Sequence, residues 1–492
     1  MMPTLLRLVR RYLLPVSAAA LMALPATPAS AQTMRLTLAD AIRLATDTSE
    51  SLDIARAGES RADADVARAD SLRLPQVNLQ GGYTRTLASE FSGALEDFGP
   101  SCAPLAVNPG AALPDRVGEL ERAAGCGAIG PGFNFGDLPF GQRNAYQATL
   151  SFSQAVYTGG RITAQRRQAE LSQRLASIDT ASTEATLALT VTRAFYDAAL
   201  GDRLVAIAES AAGQAAAAYE QTRVAYEAGR QPEFELLRAQ VSRDNQRPPV
   251  IRRRADRDVA YLRLRQLLEL PAGTPLELDV DLDAPTLAPP APFAALLETA
   301  PDQNAATERA SVQQAVAVVA VRDAAVTVAR AERLPAVNLS STLGRVGYPS
   351  DGFLPAPGDF RTNWSVGATV AVPIFEGGRL KANELSARAD LAEAEARLRQ
   401  TRELAILDQA TAREDLAAAE AVWQASAGTI QQAERAYQIA ELRNREGLST
   451  QLELSDARLA MQVAQVNRAS AARDLQVARA RVALLPNLPV GQ

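Results

Sequence analysis

Few residues of this chain could carry out chemistry, and their types exclude most kinds of catalysis. The sequence contains no histidine, which rules out histidine-based triads, histidine metal ligands and histidine proton relays. Gly125, Gly127 and Gly130 match the pattern G-x-G-x-x-G, but they lie in a predicted coil without the strand and helix that a dinucleotide site needs. No nucleophile elbow and no P-loop is present. We therefore expect no enzyme, no cofactor and no metal site.

The two cysteines, Cys102 and Cys126, lie in a Gly- and Pro-rich stretch at about 89–141, which is predicted to be a loop. In an oxidising compartment they could form a disulfide, and closing that loop would stabilise the fold by roughly 3 kcal/mol. The alternative is a pair of free thiols. Because neither cysteine directly follows a signal peptide, we expect no lipid anchor on the first mature residue.

The N-terminus predicts a secretory signal peptide over residues 1–31. Arg7, Arg10 and Arg11 precede an apolar stretch that ends at an A-x-A site, Ala29-Ser30-Ala31. Cleavage after Ala31 changes the formal net charge from −5 to −8, which argues against a nucleic-acid partner. No other stretch has about 18 uninterrupted apolar residues, so we expect no transmembrane helix in the mature chain.

The sequence repeats itself. RLPAVNLSSTLGR at 333–345 agrees with RLPQVNLQGGYTR at 73–85 at seven of thirteen positions, with a shift of 260. Further along, Gly229 and Gly447 end matching segments that are shifted by only 218. The first copy is therefore 42 residues longer, and the excess contains both cysteines. This pattern predicts a tandem duplication with one enlarged loop.

Each copy contains two stretches in which apolar and polar residues alternate, as in strands with one apolar face. These stretches lie at about 76–85, 146–153, 337–343 and 364–372. About ten residues is the length that a tilted strand needs to cross a bilayer, although a soluble hairpin with one solvated face is an alternative for any single pair. Membrane barrels have at least about eight strands, and open edges in hydrocarbon leave costly unpaired backbone groups. We therefore expect several copies of the chain to share one barrel.

Long helices are predicted after each pair of strands. The runs 161–229 and 379–447 each hold 69 residues without a proline, or on the order of 100 Å of helix. The first run carries a seam of small or aliphatic residues spaced three and four apart: Leu171, Leu175, Ile178, Ser182, Ala185, Leu189, Thr192, Tyr196 and Ala199. Each run ends at a glycine suited to a left-handed C-cap. Pro248-Pro249 is predicted to kink or break the first returning helix, and one amphipathic helix is predicted from Leu36 to Leu74.

The order of these elements resembles the TolC-type outer membrane efflux protein family, and the resemblance covers nearly all of the mature chain. It rests on the LP-x-VNL strand, the strand that ends in GGR, the long helix and the glycine tip, all present in both copies. The family implies a mainly α protein with a β-barrel part. Three tandem-duplicated protomers give four strands each to a trimeric twelve-stranded outer-membrane barrel, and their long helical hairpins form a periplasmic α-barrel tunnel.

The resemblance also implies a function and partners. We expect a passive exit duct of a tripartite efflux or type I secretion system, driven by an inner-membrane pump through a periplasmic adaptor protein. The protein is expected to be a homotrimer in the outer membrane of a Gram-negative bacterium, in contact with lipid and extending into the periplasm. The alternative is a structural periplasmic coiled-coil or adaptor-like protein, which would leave the apolar strand faces unused.

Carried over to this sequence, the family pattern marks two groups of residues near the tips. The candidate adaptor-contact residues are Gly229, Arg230, Gln231, Gly447, Leu448 and Ser449. The candidate acids of the narrow periplasmic aperture are Glu453, Asp456 and Glu235. Glu453 and Asp456 share a helix face, and a threefold ring of carboxylates would attract cations. Alternatively, Glu453 only completes a capping box with Thr450, and Asp456 is a solvated acid.

The predicted division of the chain follows the duplication. It runs from the signal peptide (1–31) through a first repeat (32–270, strand hairpin about 76–157, tip near 229), a Pro/Ala-rich linker (271–292) and a second repeat (293–485, strand hairpin about 336–374, tip near 447) to a C-terminal tail (486–492).

Overall fold

The computed structural model describes residues 34–87, 105–125, 143–298, 308–349 and 353–491. The predicted signal peptide and both cysteines lie outside these residues, as do Gly127 and Gly130. The elements in chain order are β1 (Met34–Leu36), α1 (Leu38–Thr48), α2 (Glu50–Ser71), β2 (Gln76–Arg85), α3 (Leu113–Gly125), β3 (Asn144–Tyr157), α4 (Arg161–Glu227), α5 (Glu233–Asp244), α6 (Arg247–Leu267), β4 (Leu276–Leu278), α7 (Ala294–Glu298), α8 (Ala310–Ala331), β5 (Ala336–Gly347), β6 (Phe360–Ala371), α9 (Arg379–Arg445) and α10 (Gln451–Leu484).

The two predicted long helices are confirmed, and they have the same length in both copies. Helices α4 and α9 have 67 residues each, and their bounds differ by the shift of 218 found in the sequence. The predicted seam of α4 is buried from Ser182 to Ala199 and half-buried before that. Small side chains on this seam allow neighbouring helices to approach closely, which explains why alanine is so frequent in both runs.

The chain divides into two compact units, and each unit contains segments from both predicted repeats. One unit comprises residues 49–190, 293–425 and 474–492, and the other comprises 1–48, 191–292 and 426–473. The division by contacts therefore differs from the division by repetition, because segments of both copies pack together within each unit.

The first unit contains a four-stranded antiparallel sheet with the order β2-β3-β5-β6. Strands β2 and β6 form its two edges, and within the described residues neither edge has a further partner. The ladder aligns Leu79, Leu150, Leu343 and Trp364 in one row across all four strands. The next row holds Gln80, Thr149, Gly344 and Asn363. Because side chains alternate between faces along a strand, the sheet has one apolar face and one polar face.

The apolar face is exposed in the single chain. Leu79 is 77% exposed, Trp364 is 72% exposed and Val366 is 67% exposed. Isolated apolar side chains on a surface are normal, but a contiguous apolar face of this kind needs a covering medium or partner. Among the residues that the structure describes, the sheet is therefore neither closed nor covered.

A buried network of charges joins segments of the same unit. The Arg309 side chain is 2% exposed and its Nη1 lies 2.8 Å from Asp408 Oδ2. Its guanidinium also donates to the carbonyl oxygens of Ala405 and Leu488, at 3.3 and 3.2 Å. Arg481 completes the network, with Nη2 at 3.0 Å from Asp408 and Nη1 at 2.8 Å from Asp415. These contacts connect the start of α8 and the end of the chain to α9.

The second unit is helical apart from a short parallel pair, β1 with β4. Leu36 in β1 is fully buried. A small core of Ala218, Tyr437, Leu454 and Met461 joins α4, α9 and α10. The unit therefore holds the ends of both long helices and the start of the second returning helix against each other.

The structure differs from the sequence prediction in two local elements and agrees with it in a third. The single helix predicted from Leu36 to Leu74 is wrong, because Leu36 is in a strand and Ser49 takes an extended conformation (φ −64°, ψ 120°) that separates α1 from α2. Ser49 is the N-cap of α2: its dihedral angles are not helical, while its carbonyl oxygen accepts from the N–H groups of Leu52 and Asp53. The loop predicted at 89–141 contains the helix α3. The break expected at Pro248-Pro249 is confirmed, since α5 ends at Asp244 and the prolines occupy the first turn of α6.

Among the described residues, one helix is long and apolar enough to cross a membrane by length and composition. This is α8, which has 22 residues, most of them alanine or valine. One such helix is weak support for a span, and α8 carries Arg322 and Asp323 side by side. Its counterpart at a shift of 260 is α2, whose mean composition is polar and charged. Because α2 and α8 are repeats of each other, the polar composition of α2 argues against a membrane span for α8.

Candidate functional site

Both long helices end in the same backbone motif. In the first copy, Gly229 has φ +71°, its N–H donates to Tyr226 O and the next N–H donates to Ala225 O, both at 2.8 Å. In the second copy, Gly447 has φ +73°, with the equivalent bonds at 3.0 and 2.8 Å. This pair of bonds is the Schellman motif, in which a left-handed glycine satisfies the last carbonyls of a helix. The two tips therefore turn the chain by the same mechanism.

The returning helices begin differently. Pro232 precedes α5, where the missing N–H of proline costs nothing, and Glu233 and Glu235 lie in the first turn. In the second copy, the N–H of Glu453 donates to Thr450 Oγ1 at 3.3 Å, which is one half of a capping box. This bond supports the interpretation of Thr450 as an N-cap residue. The Glu453 side chain is exposed.

A cleft of about 860 Å³ lies between the two tips. Its lining includes seven residues predicted from the sequence: Arg230, Gln231, Glu235, Gly447, Leu448, Ser449 and Glu453. Gly229 and Asp456, which were also predicted, do not line it. The structure thus brings together the candidate aperture acids Glu235 and Glu453 and most of the candidate contact residues in one place.

The three candidate acids have different surroundings. Glu453 and Asp456 are exposed. The Glu235 side chain is only 19% exposed, and its nearest cation is Arg238 Nη1 at 3.9 Å. Its Oε2 is buried without a hydrogen-bond partner among the described residues. A buried carboxylate oxygen without a hydrogen bond destabilises the fold. A donor or cation that enters the cleft would therefore be stabilised by Glu235.

No sequence motif identified Arg458, which lies on α10 next to α5. It is 4% exposed and donates from Nη2 to Ser242 Oγ at 2.7 Å. Burial lowers the pKa of Arg458 below its usual value. Its spacing of four after Leu454 and three before Met461, both buried, was the available signal. Arg458 connects α10 to α5 just beyond the tips.

No group of three or more metal-binding side chains occurs among the residues that the structure describes. The tips present backbone groups, carboxylates and small side chains, but no nucleophile activated by a base. The arrangement can bind another surface or influence the passage of ions.

Comparison with known proteins identifies relatives. A family model described as outer membrane efflux protein matches residues 41–269 and 303–487. Among curated proteins, none matches the sequence.

Several solved structures share the fold. The CmeC outer membrane channel of Campylobacter jejuni has a TM-score of 0.69 at 15% identity, covering 92% of this chain and 87% of that one. The outer membrane protein VceC from Vibrio cholerae has a TM-score of 0.68 at 19% identity, covering 91% and 96%. The open state of the MtrE outer membrane channel of Neisseria gonorrhoeae has a TM-score of 0.65 at 16% identity, covering 92% and 89%.

Proposed function

Because the chain belongs to the outer membrane efflux protein family, we propose that it is the passive exit duct of a tripartite efflux or type I secretion system. It is located in the outer membrane of a Gram-negative bacterium and extends into the periplasm. A periplasmic adaptor and an inner-membrane pump are the proposed partners, and the pump supplies the energy. The duct itself needs no cofactor.

The observation that supports the proposal most strongly is the four-stranded sheet. It has an apolar face, a polar face and unpaired edges at β2 and β6. In a bilayer the apolar face can contact lipid while the polar face lines water, but both edges must find partners. Three copies would place twelve strands in one ring, which is within the range of closed membrane barrels. A periplasmic coiled-coil or adaptor-like protein would leave this sheet exposed and without use.

The tip residues are proposed to serve two roles. Glu453, Asp456 and Glu235 are the proposed acids of the narrow periplasmic aperture, because threefold symmetry would place nine carboxylates around one axis. Gly229, Arg230, Gln231, Gly447, Leu448 and Ser449 are the proposed contacts with the adaptor. The support for grouping them is that most of them line the same cleft.

The function is tested by deleting the gene and comparing the deletion strain with the same strain complemented by the unchanged chain. We expect the deletion to increase sensitivity to a set of drugs or metal ions, or to remove secreted polypeptides from the medium. The measurements are growth inhibition across drugs and metals together with a comparison of the secreted proteins. An unchanged profile in all three would contradict the transport function.

The aperture is tested with purified protein in planar bilayers. The double variant Glu453→Gln, Asp456→Asn removes six formal charges from a trimer, and we expect it to lower the preference for potassium over chloride severalfold. Glu395→Gln is the matched control, since Glu395 is an exposed acid of α9 far from the tip. If the double variant and the control both keep the original ion preference, these acids do not form the selective ring.

A further inference from the structure

The enlarged loop of the first copy contains a helix whose apolar side has no partner among the residues that the structure describes. Helix α3 has 13 residues, from Leu113 to Gly125. Leu113 is 72% exposed, Leu120 is 51% exposed and Val117 is 44% exposed. Pro114 in the first turn and Arg122 in the last turn are favourable for a helix. The helix is therefore well formed, but it leaves its largest side chains in water.

These apolar residues have the spacing of a coiled-coil seam. Leu113, Val117, Leu120 and Ala124, here called the α3 stripe, are separated by four, three and four positions. This is the d-a-d-a pattern by which helices pack side by side with knobs into holes. The segment before α3 covers a different side of it, since the N–H of Ala106 donates to Glu119 Oε1 at 3.4 Å. Within the described part of the chain, nothing covers the α3 stripe.

The charges beside the stripe indicate which occupant fits it. With Val117 at an a position, Arg116 is at g and Glu121 is at the following e position. In parallel coiled coils a g residue pairs with the e residue five positions later on the neighbouring helix. Among the described residues Arg116 and Glu121 form no ion pair, whereas Arg122 is already engaged with Glu119. A second copy of α3, parallel to the first, would satisfy both charges.

We infer that the α3 stripes of the three protomers pack against one another around the threefold axis, at the end of the barrel remote from the helices. The inference rests on the trimer of the proposed function. Copies of α3 that run along the threefold axis all point the same way, so they are parallel, as the Arg116–Glu121 pairing requires. Because α3 follows the end of β2 that is opposite to α2, it is on the outer side of a protein whose helices are periplasmic.

The geometry permits this contact. Twelve strands about 4.8 Å apart and tilted by about 40° enclose a ring of roughly 12 Å radius. Residues 88–104 and 126–142 join α3 to the described parts on either side, and chains of that length reach up to about 55 Å. Each α3 can therefore reach the axis.

A helix of two heptads is marginally stable as an isolated coiled coil. Valine at a with leucine at d also favours two strands when nothing else decides the number. Here the barrel supplies three tethered copies at an effective concentration in the millimolar range. Attachment to the barrel, together with the α3 stripe, therefore determines what fraction of the trimers form the contact. It also determines that the contact has three helices.

The inference is tested by cysteine cross-linking in isolated outer membranes, with Cys102→Ser and Cys126→Ser as the background. Leu120→Cys places a thiol in the stripe. Gly118→Cys is the matched control, because it lies two residues away at an outward position with open space around it. After mild oxidation we expect at least about fivefold more covalent dimer from Leu120→Cys than from Gly118→Cys.

A charge exchange separates this contact from burial against lipid or another part of the same chain. Arg116→Glu should lower the yield of Leu120→Cys dimer about two- to threefold, and adding Glu121→Arg should restore it. Native sizing of the same samples reports the trimer independently. A trimer that gives no excess dimer from Leu120→Cys, or no restoration on charge exchange, overturns the α3 contact alone; the absence of a trimer overturns the proposed function as well.

Discussion

Replacing Asp408 with asparagine removes one negative charge from the middle of the Arg309 network and changes the shape of the side chain little. Arg309 is 2% exposed and Asp408 is 9% exposed. Removing one partner of a buried ion pair leaves the other charge desolvated, which costs about 3–5 kcal/mol. We take about 3 kcal/mol, because Arg309 keeps two carbonyl acceptors and Arg481 keeps its contact with Asp415.

The effect should be measurable as local opening. The N–H of Ala310 donates to Pro486 O at 2.8 Å, beside the network, and its exchange with solvent requires this contact to open. A loss of about 3 kcal/mol corresponds to exchange roughly 150-fold faster, at about 1.36 kcal/mol per tenfold change. Hydrogen exchange followed by mass spectrometry of peptides around Ala310 gives this ratio.

Asp415→Asn is a matched control, since Asp415 bonds the same Arg481 but is 54% exposed. Exposed ion pairs contribute about 0–1 kcal/mol, so exchange at Ala310 should accelerate less than about fivefold. If the Asp408 and Asp415 variants accelerate exchange equally, burial does not set the strength of this network, and the reasoning is wrong.

Three further predictions concern other parts of the fold. Gly447→Ala should destabilise the protein by about 1 kcal/mol, because φ is +73° there, whereas Gly428→Ala within α9 should be neutral or stabilising; melting in detergent separates them. Burial raises the pKa of Asp202, so its folded pKa exceeds its unfolded one and its ionisation opposes folding as the pH rises; Asp202→Asn should therefore raise the melting temperature more at pH 7 than at pH 4. Leu79→Arg, on the apolar face, should cost about 2–4 kcal/mol in a bilayer, and Gln80→Arg on the polar face should cost little; the yield of folded protein after refolding into lipid compares the two.

The sequence alone predicted the features that depend on periodicity and repetition. The shift of 218 placed α9 once α4 was recognised, and the tip glycines followed from the need for a left-handed residue at the end of each helix. The alternation of apolar and polar residues predicted the four strands, because only a two-residue period separates two faces of a sheet. These signals are local, so no tertiary contact is needed to detect them.

The sequence did not predict features for which two local signals conflict, or which depend on a tertiary contact. Ser49 interrupts a helix that the apolar pattern continues through, since serine is favoured at the N-cap, where the backbone is not helical. Helix α3 was treated as loop because the glycines and prolines around it dominate the composition. Arg458 is buried because α5 offers it Ser242, and no sequence pattern identifies which buried position will hold an arginine with such a partner.

In the proposed trimer, the four strands of one chain are completed by strands of sister chains. Cryo-electron microscopy of the full chain in lipid nanodiscs tests it most directly, by counting chains and strands in one ring. We expect three chains and twelve strands, with β6 of each protomer hydrogen-bonded to β2 of the next. A particle with one chain whose β2 and β6 edges are unpaired, or a sheet closed within a single chain, would contradict it.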